Sequence, residues 1–576
     1  MSNYSVNNPW IAKREPIVCL WKPDYNRGFV SNMNTSLLND VMCFSDRQLE
    51  EYAIMMKDCG FTGVQVTDMC TAWRHSGSPE FVHDRLKVFA NALHKHGMEF
   101  SLWAWAAEFS GHGWQDEDVV YCPENGGRAI DDPKVRAAFE KYYDIYAEMA
   151  PYTDRVIAHY YDPGNLPTME DVIDFLRLFA DKFKAANPDV QICVDTWGSP
   201  NDFPDKLVEA GFEDIMLMEL PFLPNWSEEG KRARFRQGVK DLGCGLGSWG
   251  WYTCEYEIDQ HAMMSVNNRV LKDVYKQVQA QGDHVMIPSY WSEMDSYHVL
   301  NFFSLYAAGH LLTNPDADPD VLLAESAAAV AGDEKAAEFL YVLELIRDAR
   351  SGDTWATYWW THEEGKYNVL FNTDPVEILA RAEKSLSILD GLVKEKINCP
   401  KGHFPLKPWQ IMKLMMPHVE QIKKWAEFRI AFAKVEEMYK TEGDTEAVRA
   451  ALADAYRPIP EYNCIVGLWG QVESVEMIKK VEKFCRESGI PMPKCGWNDF
   501  YYKRRLVDYL TSMSRQDHGK RVFRDNCFYE AGLGFGGYDQ TKRLVSELVA
   551  EGVLVENEKG EVALANADAV KYDFNI

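Results

Sequence analysis

Carboxylates and tryptophans recur in this chain directly after short apolar runs, a placement that gathers side chains at one end of a set of strands. Asp162 and Glu219 each end such a run, and a charge that follows buried strand residues with no polar spacer is hard to explain as solvated surface. Asp68, Asp195 and Glu293 fall at comparable points. His159, Tyr290, Trp21, Trp103, Trp251 and Trp291 lie close to other run ends, and Arg27 just past the first. Two carboxyls flanking a bond can cleave it by acid–base chemistry when one is protonated and the other ionised, and crowding raises the pKa of one of them. Aromatic faces stack on sugar rings, while Asp, Glu, His and Arg hydrogen-bond hydroxyls. The set therefore fits a carbohydrate substrate. Asp162 and Glu219 are the leading carboxyl pair, and the other ten residues are candidates for binding.

Those positions carry weight only if strands hold them. Apolar runs at 17–22, 63–68, 99–105, 156–162, 191–196, 215–220, 244–251 and 284–291 lack polar alternation, as strands buried on both faces of a parallel sheet do. Amphipathic helical patterns separate them. Ser45 and Gln48 predict a capping box for one, with Leu49, Tyr52, Ala53 and Met56 on its apolar face and Gly60 as its stop. Residues 81–96, 133–150 and 169–186 repeat the scheme. Alternating strands and helices with short joints predict right-handed parallel crossovers, and eight units ending near residue 297 close into a TIM (β/α)8 barrel of class α/β. The active face of such a barrel is the C-terminal end of its strands.

Residues 1–300 thus read as a catalytic barrel, 301–470 as a mainly helical domain, and 471–576 as a small α+β region. Helical stretches are expected at 301–312, 321–351, 375–396, 408–441 and 445–456, a short strand at 464–469, and a helix at 539–551 leading into a hairpin. The long helices after 375 suit a homo-oligomer interface. The glycine-rich stretch from Gly243 to Gly247 lacks the following helix that phosphate binding needs, and reads as close backbone packing.

The 576 residues carry 61 basic and 88 acidic side chains, so 61 − 88 = −27. A surface so acidic repels phosphate backbones and anionic membranes, which excludes nucleic acid as a partner. The polar N-terminus shows no secretory leader and no stretch approaches the roughly 20 apolar residues of a membrane span, so the expected location is cytoplasmic. Thirteen scattered cysteines form no CxxC pair and no zinc-spaced cluster, as expected of buried thiols in a reducing compartment. No metal or cofactor is expected.

The segment 49–68 with Gly60-Phe61-Thr62-Gly63-Val64, the strand end Tyr161-Asp162-Pro163-Gly164, Asp195-Thr196-Trp197, and the exit 291–315 with Leu312-Thr313-Asn314-Pro315 together resemble a glycoside-hydrolase group. That group includes α-glucuronidases and β-hexosaminidase-like enzymes. The resemblance covers roughly residues 15–350 and implies that Asp162, after strand four, is the general acid; Glu219 is then the candidate base or nucleophile. Pro163 stands where the hexosaminidase pattern has a second acid, and no separate domain precedes the first strand as in α-glucuronidases. The leading expectation is an exo-acting glycosidase on a small oligosaccharide or glycoside. Two alternatives remain: a metal-dependent sugar isomerase or epimerase built on Glu219, Asp195, His159 and Glu293, and a non-catalytic carbohydrate-binding barrel.

Overall fold

The structure is a computed structural model that describes residues 9–20, 44–68, 79–106, 127–160, 168–196, 202–212, 215–219, 246–250, 264–280, 290–295, 299–351, 366–398, 400–458, 472–493 and 538–566, with 166, 199–200, 503, 506–507 and 522–523 between them. Eight parallel strands close a barrel in chain order. They are β1 (Lys13–Leu20), β2 (Gly63–Asp68), β3 (Glu99–Trp105), β4 (Arg155–His159), β5 (Gln191–Asp195), β6 (Met216–Glu219), β7 (Leu246–Gly250) and β8 (Tyr290–Asp295). β8 pairs back onto β1, so no edge is left open. Both faces of the wall are covered, which is why the strands read as apolar runs: Val64, Val66, Phe100, Leu102, Val156, Ile157, Val194 and Leu217 are all buried.

Strands β2 and β3 fall where the sequence predicts them. Two others differ in ways that matter. β1 starts at Lys13 rather than residue 17, because the charged residues Lys13, Arg14 and Glu15 have hydrogen-bonding partners in the fold and stay in the strand. β8 starts at Tyr290, near where the apolar pattern predicts its end. Residues 284–289 lie outside those described. The ladder onto β1 sets Tyr290 opposite Lys13, the first residue of that strand, so Tyr290 and Trp291 stand toward its N-terminal end.

Helices alternate with the strands: α1 (Asp46–Asp58), α2 (Pro79–Lys95), α3 (Pro133–Ala147), α4 (Met169–Ala186), α5 (Phe203–Glu209) and α6 (Asn268–Ala280). The capping box at α1 forms as expected, Ser45 Oγ accepting from the Gln48 amide at 3.3 Å and the Gln48 side chain from the Ser45 amide at 3.1 Å. On α4, Val172, Phe175, Leu176, Phe179 and Phe183 turn inward, and Phe175 stacks on Phe139 of α3 at 4.0 Å between centroids. Each such side chain stabilises the fold by roughly 1.5–3 kcal/mol through burial.

Past the barrel come α7 (Phe302–Thr313), α8 (Pro319–Ala331), α9 (Asp333–Arg350), α10 (Pro375–Lys394), α11 (Pro408–Glu442) and α12 (Glu446–Tyr456). The helical stretch expected at 321–351 is two helices, broken at Gly332, whose φ of 74° lies in the left-handed region. α7 crosses the end of α1 through backbone contact: a Cβ on Gly309 would overlap the Cys59 carbonyl oxygen. Beyond these, α13 (Val472–Ser488) and α14 (Tyr538–Ala550) accompany a three-stranded antiparallel sheet of β9 (Val522–Phe523), β10 (Leu554–Glu556) and β11 (Glu561–Leu564). The last helix and hairpin match the expectation, while the strand expected at 464–469 lies outside the described residues. No described helix is long and apolar enough to cross a membrane.

Candidate active site

Side-chain contacts between distant strands of a filled barrel cross its lumen, so they identify which residues point inward. Two inward layers emerge in this way. In the lower one, Glu15 of β1 accepts from Ser101 of β3 at 3.0 Å and pairs with Arg155 of β4 at 2.9 Å. Its other oxygen accepts from the Tyr290 hydroxyl of β8 at 2.5 Å, and that hydroxyl also lies 2.9 Å from Gln65 Oε1 of β2. Arg155 donates further to Glu99, Gln191 and Ser101, each at 3.1 Å, and its guanidinium lies 4.3 Å above the Tyr290 ring. Burial pushes the Glu15 carboxyl above its ordinary range, against the pull of Arg155. Gly63 leaves room for that carboxylate, since a Cβ there would stand 2.7 Å from Glu15 Oε1. All of these residues sit in the first half of their strands, at the end of a barrel that serves stability.

The upper layer is aromatic. Trp103 of β3 and Trp249 of β7 meet edge to face across the lumen, with centroids 5.1 Å apart and planes at 80°. Such a pair adds about 0.5–1.5 kcal/mol beyond its buried area. The His159 ring lies 5.3 Å from Trp103, and its Nδ1 hydrogen-bonds to Oδ2 of Asp195. His159 is the last residue of β4 and Asp195 the last of β5. All four side chains are buried, and together they make a floor beneath the C-terminal mouth. Thr196 ties the exit of β5 to β6 by donating to the Met218 carbonyl at 2.9 Å. A Cβ on Gly247 would overlap Met218 Sδ, so the close packing expected of the glycine-rich stretch is found at that residue.

Of the residues singled out from sequence, the structure brings Trp103, His159 and Asp195 together. Asp68 ends β2 and Glu219 ends β6, both on the C-terminal side; their side chains lie outside the description. Asp162, Trp21, Arg27 and Trp251 lie outside the described residues altogether.

Tyr290, Trp291 and Glu293 are placed elsewhere, because Tyr290 stands opposite Lys13 at the N-terminal end of β1. Tyr290 belongs to the lower layer. Trp291 and Glu293 face the helices: the Trp291 indole donates to Glu293 Oε2 at 2.9 Å, and the Tyr275 hydroxyl of α6 donates to the same oxygen at 2.7 Å. The Tyr275 and Trp291 rings meet edge to face at 5.4 Å. Trp249, not Trp291, is the tryptophan that meets Trp103. Period-two alternation could have found it, since Trp249 shares a strand face with Gly247 opposite the lumen residue Tyr290.

Among the described residues, no group of three or more His, Cys, Asp or Glu side chains is arranged to hold a metal ion. A cleft of about 640 Å³ outside the barrel is bordered by Arg269, Asp273, Asp320 and Tyr367. Its charges satisfy one another, with Arg269 on Asp320 at 2.9 Å and the Tyr367 hydroxyl on Asp273 at 2.5 Å. Its lining residues are mostly charged, whereas ligand pockets are lined mainly by apolar and aromatic side chains.

No family model matches the chain, and no curated protein matches it in sequence. Among solved structures it is similar to CpGH84B, with 8% identity and a TM-score of 0.45 over 79% of this chain and 74% of that one. It is similar also to an O-GlcNAc hydrolase mutant from Thermobaculum terrenum, with 10% identity and a TM-score of 0.42 over 94% and 97%. A family 89 glycoside hydrolase from Clostridium perfringens, in complex with 2-acetamido-1,2-dideoxynojirmycin, has 12% identity and a TM-score of 0.43 over 94% and 64%. Likeness this slight leaves the chain's own residues to decide its chemistry.

Proposed function

We propose that this chain is a glycoside hydrolase, exo-acting on a small oligosaccharide or glycoside, in which a carboxyl pair performs acid–base cleavage. The observation that supports it best is the upper layer of the lumen. Trp103 and Trp249 meet across the lumen beneath the mouth, and the His159–Asp195 pair lies against Trp103. A sugar ring suits such a floor, because its C–H faces pack on aromatic carbon while a few placed polar groups fix its hydroxyls. Asp162 is the general acid and Glu219 the base or nucleophile, with Trp21, Arg27, Asp68 and Trp251 completing the rim. If Lys22 and Arg27 act together, a uronic acid is the favoured sugar, since paired cations recognise a carboxylate. The buried thiols of Cys59, Cys193 and Cys485 suit a reducing compartment, and with it a cytoplasmic enzyme acting on imported glycosides.

The test is a panel of chromogenic glycosides, run with and without chelator. Release from one sugar is expected, unchanged by chelator and lowered about 10²–10⁴-fold in Asp162→Asn and in Glu219→Gln. Silence across the panel from folded protein overturns the reading, and release that vanishes with chelator overturns cleavage by a carboxyl pair alone.

A further inference from the structure

We infer that the Tyr143 and Tyr160 hydroxyls are positioning groups: tied to the Ala106 carbonyl, they fix the end of β4, from which the chain runs on to Asp162 two residues later. The inference rests on the reading of Asp162 as the general acid of a glycosidase.

His159, the last residue of β4, meets Trp103 and Asp195, so the pleat turns Tyr160 to the opposite face of the wall, among the helices. There the Tyr160 ring is buried, and its hydroxyl lies 3.2 Å from the hydroxyl of Tyr143 on α3. Tyr143 gives its one proton to the Ala106 carbonyl at 2.8 Å. Its oxygen is then the acceptor, and Tyr160 the donor, of the bond between them. Burial pushes the Tyr160 phenol above its ordinary range, so the donor keeps its proton at any working pH. Ala106 is the residue after β3, and its amide donates to the His159 carbonyl at 2.9 Å. The exits of β3 and β4 are thus bound to each other and to α3. The anchor is rigid: the Tyr143 ring meets Phe139 of its own helix and Phe179 of α4 edge to face, at 5.6 and 5.0 Å. The ladder between β3 and β4 runs up to Trp105 opposite His159, and Tyr160 is the first residue past it. A hydroxyl pair is not needed to fill this layer, since Phe139, Phe175 and Phe179 pack it with apolar rings. What the hydroxyls add is a fixed place for the chain. Two residues reach at most about 7 Å, so a shift at Tyr160 has little chain in which to be absorbed before Asp162. About 1 Å of misplacement can cost a reaction roughly 10²-fold.

The experiment uses the full-length protein and aryl glycosides of the sugar it cleaves, with leaving groups running from dinitrophenol to unsubstituted phenol. Dinitrophenolate departs without a proton, whereas phenol needs the general acid, so misplacing that acid slows only the poorer leaving groups. Tyr160→Phe and Tyr143→Phe keep both rings in the packing, and Asp162→Asn is the reference for loss of the acid. Each tyrosine variant is expected to lower kcat/KM on the phenyl glycoside by about 10–100-fold, part of the 10²–10⁴-fold that a general acid supplies. On the dinitrophenyl glycoside the loss is expected to stay within about threefold. The double variant is expected to match Tyr143→Phe, which already removes both hydrogen bonds. Losses equal across leaving groups, or under about twofold on the phenyl glycoside, while Asp162→Asn does discriminate, overturn the inference and leave the acid in place. If Asp162→Asn slows both leaving groups equally, the general-acid reading falls and the inference with it. A folded wild-type protein that cleaves no glycoside overturns the hydrolase reading, and this role with it.

Discussion

Arg155→Met tests what holds the lower end of the barrel. The guanidinium is buried beside Glu15 at 2.9 Å, and its loss leaves a fully buried carboxylate without its cation. Removing one partner of a buried pair costs about 3–5 kcal/mol. With an unfolding entropy of about 2.1 cal/mol/K per residue over roughly 300 barrel residues, 4 kcal/mol lowers Tm by about 6 °C. The cost depends on pH. Burial already raises the Glu15 pKa, and without Arg155 it rises further above its unfolded value. A raised carboxyl is most favourable to the fold below its unfolded pKa, and that advantage is lost as pH rises through the folded pKa. The penalty of Arg155→Met is therefore larger at pH 8 than at pH 5. Desolvation outweighs the pull of Arg155 on Glu15, so the pair adds little net stability. Glu15→Leu combined with Arg155→Met is accordingly expected to recover all but about 1–2 kcal/mol, as when buried pairs give way to apolar side chains. Calorimetry at both pH values, with urea midpoints for the four members of the cycle, reads these quantities. A loss under about 1 kcal/mol for Arg155→Met, or a double variant no better than the sum of its singles, refutes the reasoning.

Three further outcomes are open to direct measurement. Burial lowers the His310 pKa to about 4. The unfolded chain thus takes up that proton first, and up to about 3 kcal/mol of stability is lost as pH falls from roughly 6.5 toward 4; in His310→Gln the acid limb of a Tm–pH curve should flatten. Gly309→Ala forces a methyl into the Cys59 carbonyl and should cost about 3 kcal/mol, whereas Gly97→Ala, with φ of 71° and open space around it, should cost about 1–2 kcal/mol of backbone strain. Glu293→Gln should lower Tm and leave kcat/KM unchanged, because Glu293 answers to Tyr275 and Trp291 beneath α6; a large loss of turnover at unchanged Tm would return it to the mouth.

The barrel was legible because its strands are buried on both faces, so each announces itself as an unbroken apolar run. Helix starts were legible where a local device marks them, as at Ser45 and Gln48. Both successes rest on short-range chemistry. The lower polar layer was not legible, since Glu15 and Arg155 are 140 positions apart and each reads locally as an ordinary surface charge. The eighth strand misled for a related reason: an apolar run shows that a segment is buried, not where its ladder begins. Shifting that start moved Tyr290 to the opposite end of the lumen and put Trp291 and Glu293 against the helices. Strand ends thus pointed to Trp103, His159 and Asp195, whose own strands start as predicted or one residue early.

The two layers divide labour along the barrel axis, and the division follows from what each can tolerate. Charges in the lower layer survive burial because Glu15, Arg155, Glu99 and Tyr290 bond one another; a vacancy there would strand a charge in low dielectric. Among the described residues the upper layer holds the His159–Asp195 pair in aromatic surroundings, where a hydrogen bond gains strength from the same low dielectric. A substitution below should therefore move Tm with little change in catalytic pH profile. One at His159 or Asp195 should move the profile even where Tm holds. If Arg155→Met shifts the profile as much as Asp195→Asn does, the layers are coupled through the lumen packing and the division fails.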